Sequence, residues 1–188
     1  FPYTDNQNSR QQWQEALASI RADGEISEVI LSGGDPLLPG DAYLHDLVSQ
    51  IASIPHVRRL RIHTRLPVVI PARITAGLIE AICRPNLQTV MVIHCNHANE
   101  IDGEVEEALA ILVRHGVTLL NQSVLLAGVN DDADTLCALS ERLFAAGVMP
   151  YYLHLLDKVQ GAAHFDVPEQ QAREIMSRMT ARLPGYLV

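Results

Sequence analysis

The sequence predicts an α/β protein made of parallel βα units curled toward a barrel. Three observations carry this expectation. Strand-like apolar runs recur at a beat of about thirty residues, helical stripes fill the gaps, and every strand-like run ends in polar side chains. Strands and helices alternating at this spacing pair in parallel through right-handed crossovers. An open doubly wound sheet concentrates its ligand contacts at one switch point. Five polar strand ends feeding one rim fit a curved sheet around a single pocket better.

In chain order, Trp13, Ala16, Leu17 and Ile20 mark a first helix, with Gly24 expected as its C-cap. A strand follows at 28–31, then a helix striped by Leu44, Leu47, Val48 and Ile51 at i, i+3, i+4 and i+7. The second strand, 59–63, leads to a shorter helix carrying Leu78, Ile79 and Ile82 after Thr75. The third strand, 89–94, precedes a helix striped by Ile101, Val105, Ala108, Leu109 and Leu112, closed by Gly116. The fourth, 118–125, precedes Leu136, Leu139 and Leu143, closed by Gly147; the fifth, 149–155, precedes Ala172, Ile175, Met176 and Met179.

The 188 residues suit one domain, able to bury roughly 70% of its unfolded surface. A hydrophobic fraction of 48% and a charged fraction of 19% are those of a globular chain. A net charge of −8 disfavours a nucleic-acid partner. No run of eighteen apolar residues offers a membrane span, and nothing has the pattern of a secretory leader. Cys83, Cys95 and Cys137 are odd in number and irregularly spaced, which points to free thiols and a cytoplasmic setting. The chain opens on Phe1 and closes on "GYLV", and is expected to be a piece of a longer protein.

The chemistry gathers at the strand ends. "EVILSGGDPLLPGD" places Ser32, Gly33, Gly34 and Asp35 where the first strand finishes. Two glycines expose backbone N–H groups to an anion, and Asp35 suits an ammonium; the alternative is a βα turn in which Asp35 satisfies local amides. His63, Arg65, His94, His97, His154 and Asp157 form a second constellation of groups suited to metal or acid–base chemistry. His94, His97 and Glu100 in "HCNHANE" offer ligand atoms without the spacing of a zinc-binding helix. Arg65 suits a carboxylate or phosphate through its planar fork, or a salt bridge across the rim. Asn121 and Gln122 suit the hydroxyls or heterocycle of a ligand; "GVND", 128–131, suits a helix N-cap; Lys158 could supply a Schiff-base amine but is expected in an exposed loop.

Five strings, "SGGDPL", "RIHTRLPVVIPARIT", "HCNHANEID", "LLNQSVLLAGVND" and "PYYLHLLDKVQGAAHF", together resemble the lysine 2,3-aminomutase family of radical S-adenosylmethionine enzymes, in order and over nearly the whole chain. Two of them carry a further likeness to the bacterial members that make (R)-β-lysine for modifying elongation factor P. The resemblance implies a partial (β/α)6 barrel, of which residues 1–188 supply about the second to sixth strands as a single incomplete core. It implies S-adenosylmethionine, a [4Fe-4S] cluster on a Cys-x-x-x-Cys-x-x-Cys loop, and pyridoxal phosphate, acting together to move an amino group of L-lysine from the α- to the β-carbon.

By the same resemblance Ser32, Gly33, Gly34, Asp35, His94 and Gln122 contact S-adenosylmethionine, and Asp157 holds the side-chain ammonium of lysine. His63, Arg65, His97 and His154 are rim positions without an assigned contact. The cluster cysteines are expected before Phe1 and the anchoring lysine after Val188, so no catalytic or metal-binding residue is expected within the chain. Two other readings stand beside this one: a metal-dependent hydrolase or lyase using His63, His94, His97 and Asp157, and a non-catalytic degenerate barrel.

Overall fold

The computed structural model describes residues 10–157 and 160–188. Its centre is one five-stranded sheet of β1 (Glu28–Leu31), β2 (Arg59–Thr64), β3 (Gln88–His94), β4 (Thr118–Val124) and β5 (Val148–His154). All four pairings are parallel and the spatial order is the chain order, β1 to β5. A doubly wound sheet must reverse its order somewhere, and this one never does. The sequential order is that of a barrel wall.

Among the described residues seven α-helices connect and flank the strands: α1 (Arg10–Ala22), α2 (Asp41–Ala52), α3 (Leu66–Val69), α4 (Ala76–Ile82), α5 (Gly103–Arg114), α6 (Ala133–Ala145) and α7 (Glu169–Thr180). The predicted strands match to within a residue at either end, and each apolar stripe lies on its helix apart from Ile101. That residue is buried just ahead of Asp102, whose carboxylate caps α5 by accepting from the Val105 amide at 3.0 Å. Gly116 and Gly147 take φ of 80° after α5 and α6, as C-cap glycines should. Gly24 does not. After α1 the chain turns on Asp23 instead, whose carboxylate accepts from the Glu25 amide and whose carbonyl accepts from the Ile26 amide.

The period-two pleat gives the sheet two unlike faces. Leu31, Leu60, Ile62, Met91, Ile93 and Leu119 point one way and join the helices in a single apolar core. The opposite face carries Glu28, Ile30, Arg61, His63, His94 and Gln122, half-buried or exposed. Arg61 of β2 donates through Nη2 to Glu28 on β1 at 2.9 Å and through Nη1 to the Tyr151 hydroxyl on β5 at 3.3 Å. In a flat sheet β2 and β5 would lie about 14 Å apart, three spacings of about 4.8 Å. A hydrogen bond across that span is what a concave surface permits.

Candidate functional site

The site is the carboxyl-terminal rim of the concave face, built from the loop after each strand. After β1, Gly33 and Gly34 take φ of 86° and 58°, a region open to glycine and strained for other residues. A Cβ at either position would meet nothing within 4 Å. Conformation and not crowding is what calls for glycine here. The amides of Gly33, Gly34 and Asp35 take no acceptor among the described residues. Three adjacent free donors on an exposed turn form a concavity suited to a carboxylate or phosphate.

Asp35 closes the turn. Its Oδ1 accepts from the Thr64 hydroxyl at 2.7 Å and the Leu37 amide at 3.0 Å, and its Oδ2 accepts from the Arg65 amide at 2.8 Å. The carboxylate therefore ties the glycine turn to the end of β2, the local-amide role weighed above. Thr64 points away from the rim and is buried, and its Oγ also accepts from the Leu66 amide. The Arg65 guanidinium remains exposed and makes no ion pair among the described residues.

His63, His94 and Gln122 share the concave face on three adjacent strands, with His94 opposite Gln122 in register. The Gln122 amide sits against the His94 ring and is close enough to His63 to act on its titration. Partial burial, followed by the positive charge of Arg61, lowers the His63 pKa. Burial, then Arg65 and His63, pushes that of His94 down to about 4. Both imidazoles are therefore neutral near pH 7. His154, at the end of β5, is close enough to act electrostatically on both.

A bulge shapes the last wall. The β4–β5 register slips between Asn121 and Gln122, leaving Tyr151 as an extra residue. Consecutive tyrosines thereby share the concave face, their rings 3.9 Å apart, with Tyr152 also 5.3 Å from the His154 ring. Asp157 lies beyond, exposed, its carboxylate without a donor among the described residues. Lys158 lies outside the described residues.

Other rim polar groups turn out to be structural. Asn121 is buried on the helix side, where it accepts from the Cys95 amide at 2.9 Å and donates to the Cys95 carbonyl at 3.0 Å and Ser123 at 2.9 Å. It reads no ligand. His97 caps a short 3₁₀ turn, Nδ1 accepting from the Asn99 amide, while Glu100 accepts from the amides of Asn96 and His97. Two of the three ligand groups of "HCNHANE", His97 and Glu100, are thus engaged in a capping box, while His94 faces the concave side. Among the described residues no three His, Cys, Asp or Glu side chains are grouped to hold a metal ion. "GVND" falls one residue short of the cap, which is Asp132; Asn130 is instead buried, donating to the Asn96 and Val124 carbonyls. With Asn96, which accepts from the Val124 amide at 2.8 Å, it sews the loops after β3 and β4 together.

The three thiols are free and lie on separate elements: Cys83 ends α4, Cys95 follows β3 and Cys137 is within α6. Burial pushes the Cys95 pKa up to about 12, with the nearby Glu100 adding to the shift. Among the described residues no helix is long and apolar enough to cross a membrane.

No protein-family model matches the chain. In structure it is similar to a radical SAM methyltransferase from Sphaerobacter thermophilus, with a TM-score of 0.59 over 92% of this chain and 53% of that one, at 16% identity. That likeness supports the barrel-wall fold. In sequence, all 188 residues align with the L-lysine 2,3-aminomutases of Escherichia coli at 57% identity and of Haemophilus influenzae at 54%. The enzyme of that name from Clostridium subterminale is 38% identical over 174 residues. The chain spans 55% and 56% of the lengths of the first two relatives. Along its entire length the chain shares more than half of its residues with L-lysine 2,3-aminomutases, the proteins it is similar to in sequence.

Proposed function

We infer that this chain is the core of a radical S-adenosylmethionine aminomutase that converts L-α-lysine to (R)-β-lysine, the product serving modification of elongation factor P. The observation that carries the reading is the 57% identity, unbroken over 188 residues, to an L-lysine 2,3-aminomutase. The rim agrees chemically. S-adenosylmethionine presents a carboxylate, an ammonium, a sulfonium and a purine; when bound and reduced it supplies a carbon radical able to abstract hydrogen. Three free amides at Gly33, Gly34 and Asp35 suit its carboxylate, with Ser32 beside them. Asp35 contributes as the anchor of that turn, and Gln122 with His94 presents amide and ring edges for the nucleoside.

Charge supports this assignment. A sulfonium and a lysine ammonium are both cationic, so a pocket receiving them is better lined by neutral than by protonated imidazoles. Burial keeps His63 and His94 neutral. Asp157, a carboxylate without a partner among the described residues, lies on the final rim segment and is suited to fix the far end of a lysine side chain.

The three thiols do not fit an iron–sulfur cluster, which needs closely grouped thiolates. The chain's lysine, Lys158, lies outside the glycine-rich setting that the resemblance implies for the pyridoxal phosphate anchor. In this reading both groups are held by parts of the protein outside these 188 residues. The test is anaerobic reconstitution of the full-length protein with iron and sulfide, then incubation with S-adenosylmethionine, pyridoxal phosphate and L-lysine. β-Lysine is the expected product. Lysine recovered unchanged from a reduced protein with its cluster loaded would overturn the reading.

A further inference from the structure

We propose that Arg73 is a positioning residue for the glycine turn, setting its height over the rim through the backbone of the following loop. The inference rests on the reading of residues 32–35 as the S-adenosylmethionine turn. Loop 32–40, from β1 to α2, is held from the next βα unit at two places. One is Asp35, tied to Thr64 and Arg65. The other is the Arg73 fork: Nε donates to the Leu37 carbonyl at 2.7 Å, Nη2 to the Pro39 carbonyl at 3.0 Å, and Nη1 to Asp41 Oδ1 at 2.7 Å. All three guanidinium nitrogens are engaged, and the side chain is only 17% exposed.

The clamp is itself oriented. Asp41 Oδ2 accepts from the Thr75 hydroxyl at 3.0 Å. Gly77, in α4, lies so close that a Cβ there would stand 2.5 Å from that same oxygen. Gly77 stands in the first turn of α4, two residues after the Thr75 N-cap, and its lack of a side chain leaves room for the Asp41 carboxylate. Leu37, whose carbonyl Arg73 holds, has a fully buried side chain. The free amides of the turn thus sit on a loop held at two points by partners outside it. Lysine at position 73 retains a charge for Asp41 but lacks the planar fork that reaches two carbonyls as well.

The experiment measures S-adenosylmethionine dissociation constants and melting temperatures for the full-length protein carrying Arg73→Lys, Gly77→Ala or Gly34→Ala. Arg73→Lys is expected to weaken binding about tenfold, the effect of losing roughly one charge-assisted hydrogen bond. Gly77→Ala touches neither the loop nor the ligand but displaces the Asp41 carboxylate. It is expected to weaken binding about threefold, with the melting temperature unchanged or raised by the gain in helix propensity. Affinity falling without stability is the mark of positioning. Wild-type affinity in both variants, whatever happens to the melting temperature, overturns the proposal. Gly34→Ala separates the two claims: if it leaves binding intact, the turn is not the S-adenosylmethionine site and the underlying reading falls; if it abolishes binding while the other two bind normally, only the role of Arg73 falls.

Discussion

Asn121 and Gln122 are neighbours on β4 with the same functional group, and the pleat sends them to opposite faces of the sheet. Asn121 is 2% exposed and engages three partners around Cys95 and Ser123. Gln122 faces the concave side, where its amide sits against the His94 ring. The difference extends across the sheet. On the helix face each buried polar side chain on the strands (Thr64, Thr89, Asn121, Ser123) has a protein partner. On the concave face Arg65 and Asp157 have exposed charges with no ion pair among the described residues. Polar groups are structural where the core needs them satisfied, and free where a ligand can reach them.

The largest expected effect breaks the buried side of that comparison. Asn121→Ala leaves both backbone groups of Cys95 without the side-chain partner they now have, in a water-excluded layer. A loss of about 3 kcal/mol of unfolding free energy is expected, since orphaned buried groups lose their full desolvation penalty. Urea unfolding of the full-length protein measures it. A cost within about 0.5 kcal/mol, ordinary for a surface substitution, would mean that Asn121 is not structural.

The next effect belongs to the open face. Asp157→Asn is expected to lower kcat/KM for lysine by roughly 10- to 100-fold, the range of one hydrogen bond to a charged group. Its S-adenosylmethionine affinity should stay near wild type, because Asp157 lies on the last rim segment and the glycine turn on the first. Normal turnover in this variant would remove Asp157 from the substrate site. Gln122→Ala, smaller still, should cost under about 1 kcal/mol of stability while weakening S-adenosylmethionine binding about tenfold. If the stability costs of the Asn121 and Gln122 variants came out equal, the two-face distinction would fail.

The fold was almost wholly legible because its cause is local. Period-two and period-3.6 stripes mark strand and helix directly, and polar strand ends announce the rim. The sorting of rim residues was less legible. Adjacent polar residues such as Asn121 and Gln122 differ only in parity relative to the core, and parity depends on where the strand begins. Leu119 and Leu125 are both buried and share the parity of Asn121, which could have assigned it to the helix side. His97 and Glu100 had the local signature of a capping box, a polar residue followed three positions later by glutamate. Arg73 had no such signal: its partners lie 32 to 36 residues away, in a loop brought alongside only by parallel pairing.

The smallest effect concerns protonation of the open face, and its sign can be worked out. His94 titrates near 4 in the fold, because burial and the nearby Arg65 and His63 disfavour its charged form, against about 6.5 in an unfolded chain. Between these values the unfolded state holds a proton that the native state lacks, so stability rises with pH across that window. It is fully present above about 6.5 and is lost as the pH falls toward 4. The ring is about half exposed, so solvent screening limits the contribution to about 1 kcal/mol. Asp132 is kept separate by its own range: hydrogen bonds from Thr135 lower its carboxyl below 3.8, and it loses stability only in stronger acid. His94→Asn in the full-length protein without added cofactors should therefore flatten the stability profile between pH 6.5 and 4. The affinity of the wild type for a cationic sulfonium should fall over the same interval as the imidazole gains charge. A wild-type profile with the same slope as the variant there would show that His94 titrates as an ordinary exposed histidine, and that the concave face does not hold it neutral.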